Sequence, residues 1–176
     1  MRERGLSLVQ AVVATALVAI LAMVSLPLFL SAIQNYRFRA AVDQIVGQIR
    51  QARAVAVTKG NVAGFHMMAN PCTITTPRAY RIERSATGTT WPNDCDTPST
   101  NATYVITLWQ DLAQLFPGVT VSQPVDAGGT TLARITINSL GNSVATGQHP
   151  ISITITNSPS GSSVVQVTSL GSVRRP

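Results

Sequence analysis

Hydrophobic and polar positions divide the chain into three successive patterns. Residues 6–33 are predominantly apolar on every face of a predicted helix, and none of them is charged. Apolar residues then recur at alternating spacings of four and three, as along one side of an amphipathic helix; they are Phe38, Val42, Ile45, Ile49, Ala52 and Ala56. After Gly60 the pattern changes to the every-second-residue alternation of half-buried strands. The sequence therefore predicts one long helix followed by a β-rich domain.

The predicted helix continues without interruption to Lys59, where a basic last turn and the pair Gly60-Asn61 mark its end. Over residues 6–59 it would be about 80 Å long, at about 1.5 Å per residue. Its apolar half is longer than the roughly 20 residues that cross a bilayer. We expect the apolar seam of the second half to pack on the chain's own β domain, with a coiled-coil partner as the alternative. Such a long helix suits a subunit whose apolar half is buried among neighbouring subunits.

Seven β-rich segments follow the helix. They are residues 62–67, 78–84, 104–109, 119–123, 132–138, 151–157 and 163–170. Residues 151–156 alternate one apolar face with one hydroxyl-bearing face, and residues 157–161 have the composition of a hairpin turn. The predicted fold class is α+β, with the long N-terminal helix packed on a C-terminal antiparallel β domain of one sheet or two.

A short basic leader, Met1-Arg2-Glu3-Arg4-Gly5, precedes the apolar segment. No small-residue cleavage site of a secretory signal follows that segment, so the expected cut lies before it, after Gly5. The junction resembles the class III signal of type IV pilins and type II secretion pseudopilins, in the residues Gly5-Leu6-Ser7-Leu8-Val9-Gln10. The resemblance implies that prepilin peptidase cleaves between Gly5 and Leu6 and that Leu6 is N-methylated. Pro27 lies where these proteins usually carry a helix-kinking proline.

Both ends of the chain resemble one family of minor pilins in particular, the GspH/FimT family. Residues 46–61 (VGQIRQARAVAVTKGN) resemble the end of that family's long helix, and residues 165–175 resemble its closing strand and basic C-terminal motif. The resemblance implies a pilin-like fold and a role as a minor structural subunit of a type IV pilus or a type II secretion pseudopilus, in the filament or its tip-priming complex. The implied partners are other pilins or pseudopilins, prepilin peptidase and the inner membrane.

These inferences divide the chain into four segments. Residues 1–5 are the leader, 6–34 the transmembrane or filament-core half of the helix, 35–60 its amphipathic half, and 61–176 the globular β domain. The positive-inside rule places Arg2 and Arg4 in the cytoplasm, and the C-terminal domain on the other side of the inner membrane. We expect the domain to be periplasmic before assembly and periplasmic or extracellular afterwards.

The two cysteines, Cys72 and Cys95, both lie in polar sequence on the expected outer side of the membrane. An oxidising compartment favours a disulfide between them. It would close a loop of about 24 residues, which contributes roughly 3 kcal/mol in the loop-entropy model. Two free thiols are the alternative, whereas a C-x-x-C redox motif or a zinc cluster is excluded by spacing and number.

No catalytic or cofactor motif stands out in the sequence. His66 and His149 are far apart, with no H-E-x-x-H or G-x-S-x-G motif. Asn93-Asp94-Cys95-Asp96 lacks the spacing of a calcium loop. We therefore expect a protein that is not an enzyme and that needs no cofactor or metal; a membrane-anchored enzyme is the weaker alternative.

Gln10 departs from the resembled family, which usually has glutamate there. In that family the carboxylate is thought to meet a neighbour's N-terminal amine inside the filament, and a buried charge needs such a partner. Gln10 can accept a hydrogen bond but cannot neutralise the amine. The departure favours a minor subunit over a major, repeating one.

The net charge of +6 raises an alternative function, binding of a polyanion such as double-stranded DNA. Some FimT-like minor pilins are implicated in DNA uptake through a Gly-Arg-x-Arg ending. Here the chain ends Gly171-Ser172-Val173-Arg174-Arg175-Pro176, which keeps only part of that pattern. Arg174 and Arg175, projecting after the final strand, are the candidate DNA contacts, with Arg134 as a further one. Two arginines alone would support only weak, non-specific binding.

Overall fold

The computed structural model describes residues 8–68, 79–144, 147–157 and 161–175. They form two helices and eight strands. In chain order these are α1 Leu8–Lys59, β1 Val62–Met68, β2 Ala79–Ser85, β3 Gln110–Asp111, α2 Leu112–Leu115, β4 Val119–Val121, β5 Arg134–Ile137, β6 Ile151–Asn157, β7 Gly161–Val167 and β8 Val173–Arg174.

Helix α1 ends where the sequence predicts. Gly60 adopts a positive φ of 64°, a conformation that glycine reaches without steric cost. The Gly60 amide donates to the Val57 carbonyl at 3.4 Å, and the Asn61 amide donates to the Ala56 carbonyl at 3.2 Å. This pair of bonds is a Schellman motif, which satisfies the last free carbonyls and turns the chain towards β1.

The strands form two four-stranded sheets. The first has the order β3-β2-β1-β5 and the second has the order β4-β6-β7-β8. Every pairing between these strands is antiparallel. The prediction of an antiparallel domain is confirmed, and the choice between one sheet and two is decided in favour of two.

The second half of α1 packs on both sheets and forms the core with them. Its inward side chains Val42, Ile45, Ile49, Ala52 and Ala56 are at most 4% exposed. They meet the inward faces of the strands, which supply Phe65, Met67, Tyr80, Ile82, Ile135, Ile137, Ile151, Ile153, Ile155, Val165 and Val167. The predicted packing of the helix seam on the chain's own β domain is therefore confirmed.

Residues 104–109, predicted as a strand, do not form one. The amides of Tyr104 and Val105 both donate to the Asn101 carbonyl, at 3.1 and 2.9 Å, which closes a turn. Only an isolated bridge joins Val105 to Glu83. The alternation in this segment reflects burial of Val105 and Trp109 under the first sheet, not pairing in a ladder.

The end of the chain also differs from the prediction. The last long strand stops at Val167, because the Gly171 amide donates to the Thr168 carbonyl at 2.9 Å and the chain reverses there. Val173 and Arg174 then pair with Val167 and Gln166 as β8. The tail is thus part of the second sheet.

Candidate functional site

The N-terminal half of α1 projects from the domain with its apolar side chains exposed. Its large apolar residues are each at least 53% exposed; they are Leu8, Val9, Val12, Val13, Leu17, Val18, Ile20, Leu21, Met23, Leu26, Leu28, Phe29 and Leu30. This helix is long and apolar enough to cross a membrane, and its most apolar stretch is not buried against the domain. The projecting half is therefore a candidate membrane anchor and the largest unpartnered apolar surface among the described residues.

The hydroxyl groups of the projecting half are satisfied within the helix itself. Thr15 Oγ1 donates to the Ala11 carbonyl at 3.1 Å, Ser25 Oγ to Leu21 at 2.6 Å, and Ser31 Oγ to Leu28 at 2.9 Å. Such bonds to carbonyls three or four residues earlier hide these hydroxyls from an apolar surrounding. The projecting half can therefore be transferred into lipid or a helix bundle without leaving them unpaired.

The predicted processing and assembly residues lie at or near the start of this helix. Gly5 and Leu6 lie outside the described residues. Gln10 lies on the projecting half and is exposed, and Pro27 lies inside the helix. Further along the helix, Asn157 Nδ2 of the β domain donates to the Gln34 carbonyl at 3.1 Å.

A cluster of charged side chains lies on the opposite face of the first sheet from α1. In the strand register His66 pairs with Arg81 on one side and with Arg134 on the other. Glu83 lies two residues from Arg81, so it points to the same face. Arg81 and Glu83 are fully buried and His66 is 3% exposed.

Glu83 is the centre of this cluster. Its Oε1 atom accepts from Arg81 Nε at 2.5 Å and lies 2.8 Å from His66 Nδ1. Its Oε2 atom accepts from Arg134 Nε at 2.8 Å. Burial acts to raise the pKa of Glu83, but the hydrogen bond with His66 and the electrostatic attraction of His66, Arg134 and Arg81 together outweigh it. The net pKa lies below its ordinary value, so Glu83 is held as a carboxylate.

The hydrogen-bond network assigns the His66 tautomer. Because Glu83 can only accept, His66 Nδ1 carries the hydrogen and donates it. Arg134 Nη2 also lies 3.2 Å from Nδ1, but both groups are donors, so this approach is not a hydrogen bond. His66 and Arg134 thus share one carboxylate.

His66, Glu83 and Asp94 are close enough to be considered as a metal site, since one ligand atom of each lies within 4.8 Å of the others. However, both oxygens of Glu83 already accept from guanidinium groups. Two fixed positive charges beside these ligands oppose a third cation. We assign the cluster a structural role.

Arg81 fastens the 93–96 loop over the sheet. Its Nη1 donates to the carbonyls of Asp94 and Asp96 at 3.0 and 2.9 Å, and its Nη2 donates to the Asn93 carbonyl at 2.8 Å. Trp109 Nε1 also donates to the Asp94 carbonyl, at 2.7 Å. One buried side chain therefore joins the sheet to three backbone carbonyls of the loop.

Arg134 supports Trp91 in a similar way. Its guanidinium carbon lies 4.2 Å from the centre of the Trp91 ring, at the distance of a cation–π contact. A Cβ at Gly64 would come within 2.5 Å of Arg134 Cδ and 3.0 Å of the Trp91 ring. Gly64 therefore leaves the space in which Arg134 and Trp91 stack across β1.

The three candidate DNA-binding arginines are not brought together. Arg134 is committed to Glu83 and Trp91, with only 19% of its side chain exposed. Arg175 forms an ion pair with Asp43 of α1, so the tail folds back against the helix. Arg174 is exposed in β8. The tail thus pairs with the second sheet instead of projecting from it, and DNA binding by these arginines stays a prediction.

Cys95 is disulfide-bonded in the structure. Cys72, its predicted partner, lies outside the described residues. The bonded cysteine lies in the same loop that Arg81 holds, so two independent restraints act on residues 93–96.

The charge cluster was not predicted from the sequence. A signal was present, because Arg81 and Glu83 alternate with the core residues Tyr80 and Ile82 along β2. That alternation places both charges on one face, but it is also the pattern of a strand with a solvated face. Burial of the charged face depends on the loop that covers it.

Comparisons with solved structures support the fold. A minor pseudopilin, EpsH, from the type 2 secretion system of Vibrio cholerae matches with a TM-score of 0.51 at 12% identity, over 78% of this chain and 94% of that one. The type IV minor pilin FimU of Pseudomonas aeruginosa matches in two crystal forms, with TM-scores of 0.50 and 0.52 at 11% and 12% identity. These matches cover 78% and 81% of this chain and 91% and 90% of FimU.

No family model and no curated protein matches the chain in sequence. At this low identity the structural likeness defines the fold alone. The chain has the pilin-like fold of minor pilins and minor pseudopilins, with a long N-terminal helix on two antiparallel sheets. The expected pilin-like fold is thereby confirmed.

Proposed function

We propose that the protein is a minor subunit of a pilin-type filament, either a type IV pilus or a type II secretion pseudopilus, and that it is not an enzyme. The observation that carries the proposal is the projecting half of α1, whose large apolar side chains are exposed in the part of the chain that the structure describes. A pilin-like domain joined to such a helix needs lipid before assembly and neighbouring helices afterwards.

Processing would convert the membrane-anchored form into the assembly-competent one. Prepilin peptidase would cut between Gly5 and Leu6, and Leu6 would be methylated. Gln10, near the new N-terminus, would contribute a neutral amide. A glutamate at this position would instead need the N-terminal amine of a neighbouring subunit to neutralise its charge. This favours a place at or near the filament tip, with the other pilins or pseudopilins as partners and the C-terminal domain outside the inner membrane.

Site-specific photo-crosslinking tests the proposal. A photoreactive residue would replace Val18, which is 66% exposed on the projecting half. The matched control would replace Thr120, which is exposed on the second sheet. In filament-producing cells we expect Val18 to crosslink to pilins or pseudopilins, identified by mass spectrometry, and Thr120 to do so less. Crosslinks from Val18 to lipid alone in a filament fraction would overturn the proposal.

DNA reception remains the second candidate from the sequence, but the described residues give it little support. Arg174 and Arg175 are both exposed, but Arg175 is paired with Asp43. Binding that rests on so few phosphate contacts would be weak at physiological salt. The structural subunit is therefore the function we favour.

A further inference from the structure

A cavity of about 350 Å³ lies beside the loop that Arg81 holds. Its volume is in the range of small-molecule sites, which span about 300–1,000 Å³. Two aromatic residues, Trp91 and Tyr104, line it together with Asn93, Asp96 and Asn101. Nothing in the filament role described above uses this cavity.

The Trp91 ring is held firmly at the wall of the cavity. Its Nε1 donates to the Gly88 carbonyl at 3.2 Å, and the Arg134 guanidinium covers one face of the ring. Arg134 lines a second depression that also includes Trp91, but it does not line this cavity. Trp91 therefore forms part of the wall of this cavity, and Arg134 does not. A ring fixed in this way loses little conformational entropy when a ligand stacks on it.

The polar groups around the cavity still have capacity for hydrogen bonds. Asp96 Oδ2 accepts from the Asn93 amide and from Asn101 Nδ2, both at 3.0 Å. Among the described residues, no partner is found for Asp96 Oδ1 or for the side-chain oxygen of Asn101. A carboxylate and an amide side by side offer both acceptors and donors to the hydroxyl groups of a ligand.

From this arrangement we propose that the cavity binds one pyranose ring of a neutral saccharide. The C–H groups on one face of a pyranose carry slight positive charge and suit the negative face of Trp91 or Tyr104. Its hydroxyls would meet Asp96, Asn101 and Asn93. A ligand with phosphate or carboxylate groups is disfavoured, because Asp96 would repel it while Arg81 and Arg134 are committed to Glu83.

The test uses the oxidised full-length chain in lauryldimethylamine oxide, a detergent without a sugar headgroup. The probes are glucose, galactose and N-acetylglucosamine, followed by saturation-transfer NMR. Sorbitol is the control for hydroxyl groups without a pyranose ring, and adenosine and tri-proline are the controls for other ligands that stack on aromatic rings. We expect at least one pyranose to bind with a Kd of about 1–10 mM, as befits a ligand of so few atoms. We expect no signal from sorbitol.

Variants assign the binding to the cavity. W91L should weaken binding by about tenfold or more, whereas W91F, which keeps an aromatic face, should change it by about threefold or less. Y104L provides a second test if W91L does not fold, because no side-chain bond of Tyr104 is seen among the described residues. T120V, a change on the distant second sheet, should bind as the original chain does.

Four results would overturn the proposal. They are the absence of any pyranose signal at about 20 mM, an equal signal from sorbitol, stronger binding of adenosine or tri-proline than of every sugar, and full binding by folded W91L and Y104L. None of these results bears on whether the projecting helix assembles into a filament, so failure here leaves the proposed function standing.

Discussion

At the scale of single residues, Glu83 determines how the first sheet is joined to its covering loop. It is fully buried, and side-chain nitrogens of Arg81, Arg134 and His66 all lie within 3 Å of its carboxylate oxygens. Buried ion pairs contribute little net stability relative to apolar packing, but removing one partner is costly because a buried charge is left behind. Loss of Glu83 would therefore also disturb Arg81, which holds the 93–96 loop by three hydrogen bonds.

Replacement of Glu83 by alanine should lower the free energy of unfolding by about 3–5 kcal/mol. The reason is that Arg81 would remain fully buried without its carboxylate. Urea denaturation followed by circular dichroism measures the change. D43A is the control, since Asp43 is 66% exposed in its ion pair with Arg175 and should contribute about 1 kcal/mol or less. An equal effect of the two substitutions would contradict the central role of Glu83.

Stability should also fall at acidic pH because of Glu83 and Asp126. The pKa of Asp126 is lowered chiefly by the hydrogen bond from the Thr130 amide, and that of Glu83 is lowered as described above. A carboxyl group whose pKa is lower in the folded state than in the unfolded state stabilises the fold when it is ionised. This stabilisation is fully present above the unfolded-state pKa, near 4, and is lost as the pH falls through the folded-state pKa. Melting temperatures between pH 7 and pH 2.5 should therefore decrease below about pH 4. A flat profile down to pH 3 would argue against both carboxylates.

At the scale of elements, α1 has two halves with different surroundings. Its second half is held by the two sheets, whereas the large apolar side chains of its first half are exposed. The change in spacing of the apolar residues predicted this division. A helix that is apolar on every face is buried all round, whereas a helix that is apolar on one face buries only that face. The β domain was predicted less well, since residues 104–109 alternate without joining a ladder.

Truncation of a seam residue should distinguish the buried face of the second half of α1 from its exposed face. I49A should lower the free energy of unfolding of the domain by about 2–5 kcal/mol, because Ile49 is fully buried between the sheets. V57A, on the exposed side of the same helix, should change it by about 0.5 kcal/mol or less. Thermal or urea unfolding of both variants provides the comparison. Similar losses would mean that the seam does not carry the core.

The candidate site shows where prediction from sequence reached its limit. Arg134 and Arg175 carry the charge expected of phosphate contacts. Their positions in the sequence did not indicate which residues they pair with. Those partners, Glu83 and Asp43, are distant in sequence and come near only through strand pairing and the return of the tail. Local pattern predicts which face a side chain occupies, whereas long-range contacts decide whether its charge is available.

At the scale of the whole molecule, a compact β domain carries an apolar helix segment that it does not cover. Residues 8–33 span about 39 Å at about 1.5 Å per residue, enough to cross the roughly 30 Å hydrocarbon core of a bilayer. The same length of helix can exchange lipid for neighbouring helices without exposing its hydroxyls, since these are bonded internally. In the proposed function, membrane anchoring and filament entry would use this one surface in turn.

The most direct test of this account is the intact mass of the protein recovered from sheared pili or from an overproduced pseudopilus. We predict that the protein is present in that fraction and lacks residues 1–5, with Leu6 methylated at the new N-terminus. The reason is that only a helix freed of its basic leader can enter an apolar filament core. Recovery of the chain in the filament with Met1 and Arg2 retained would contradict the account.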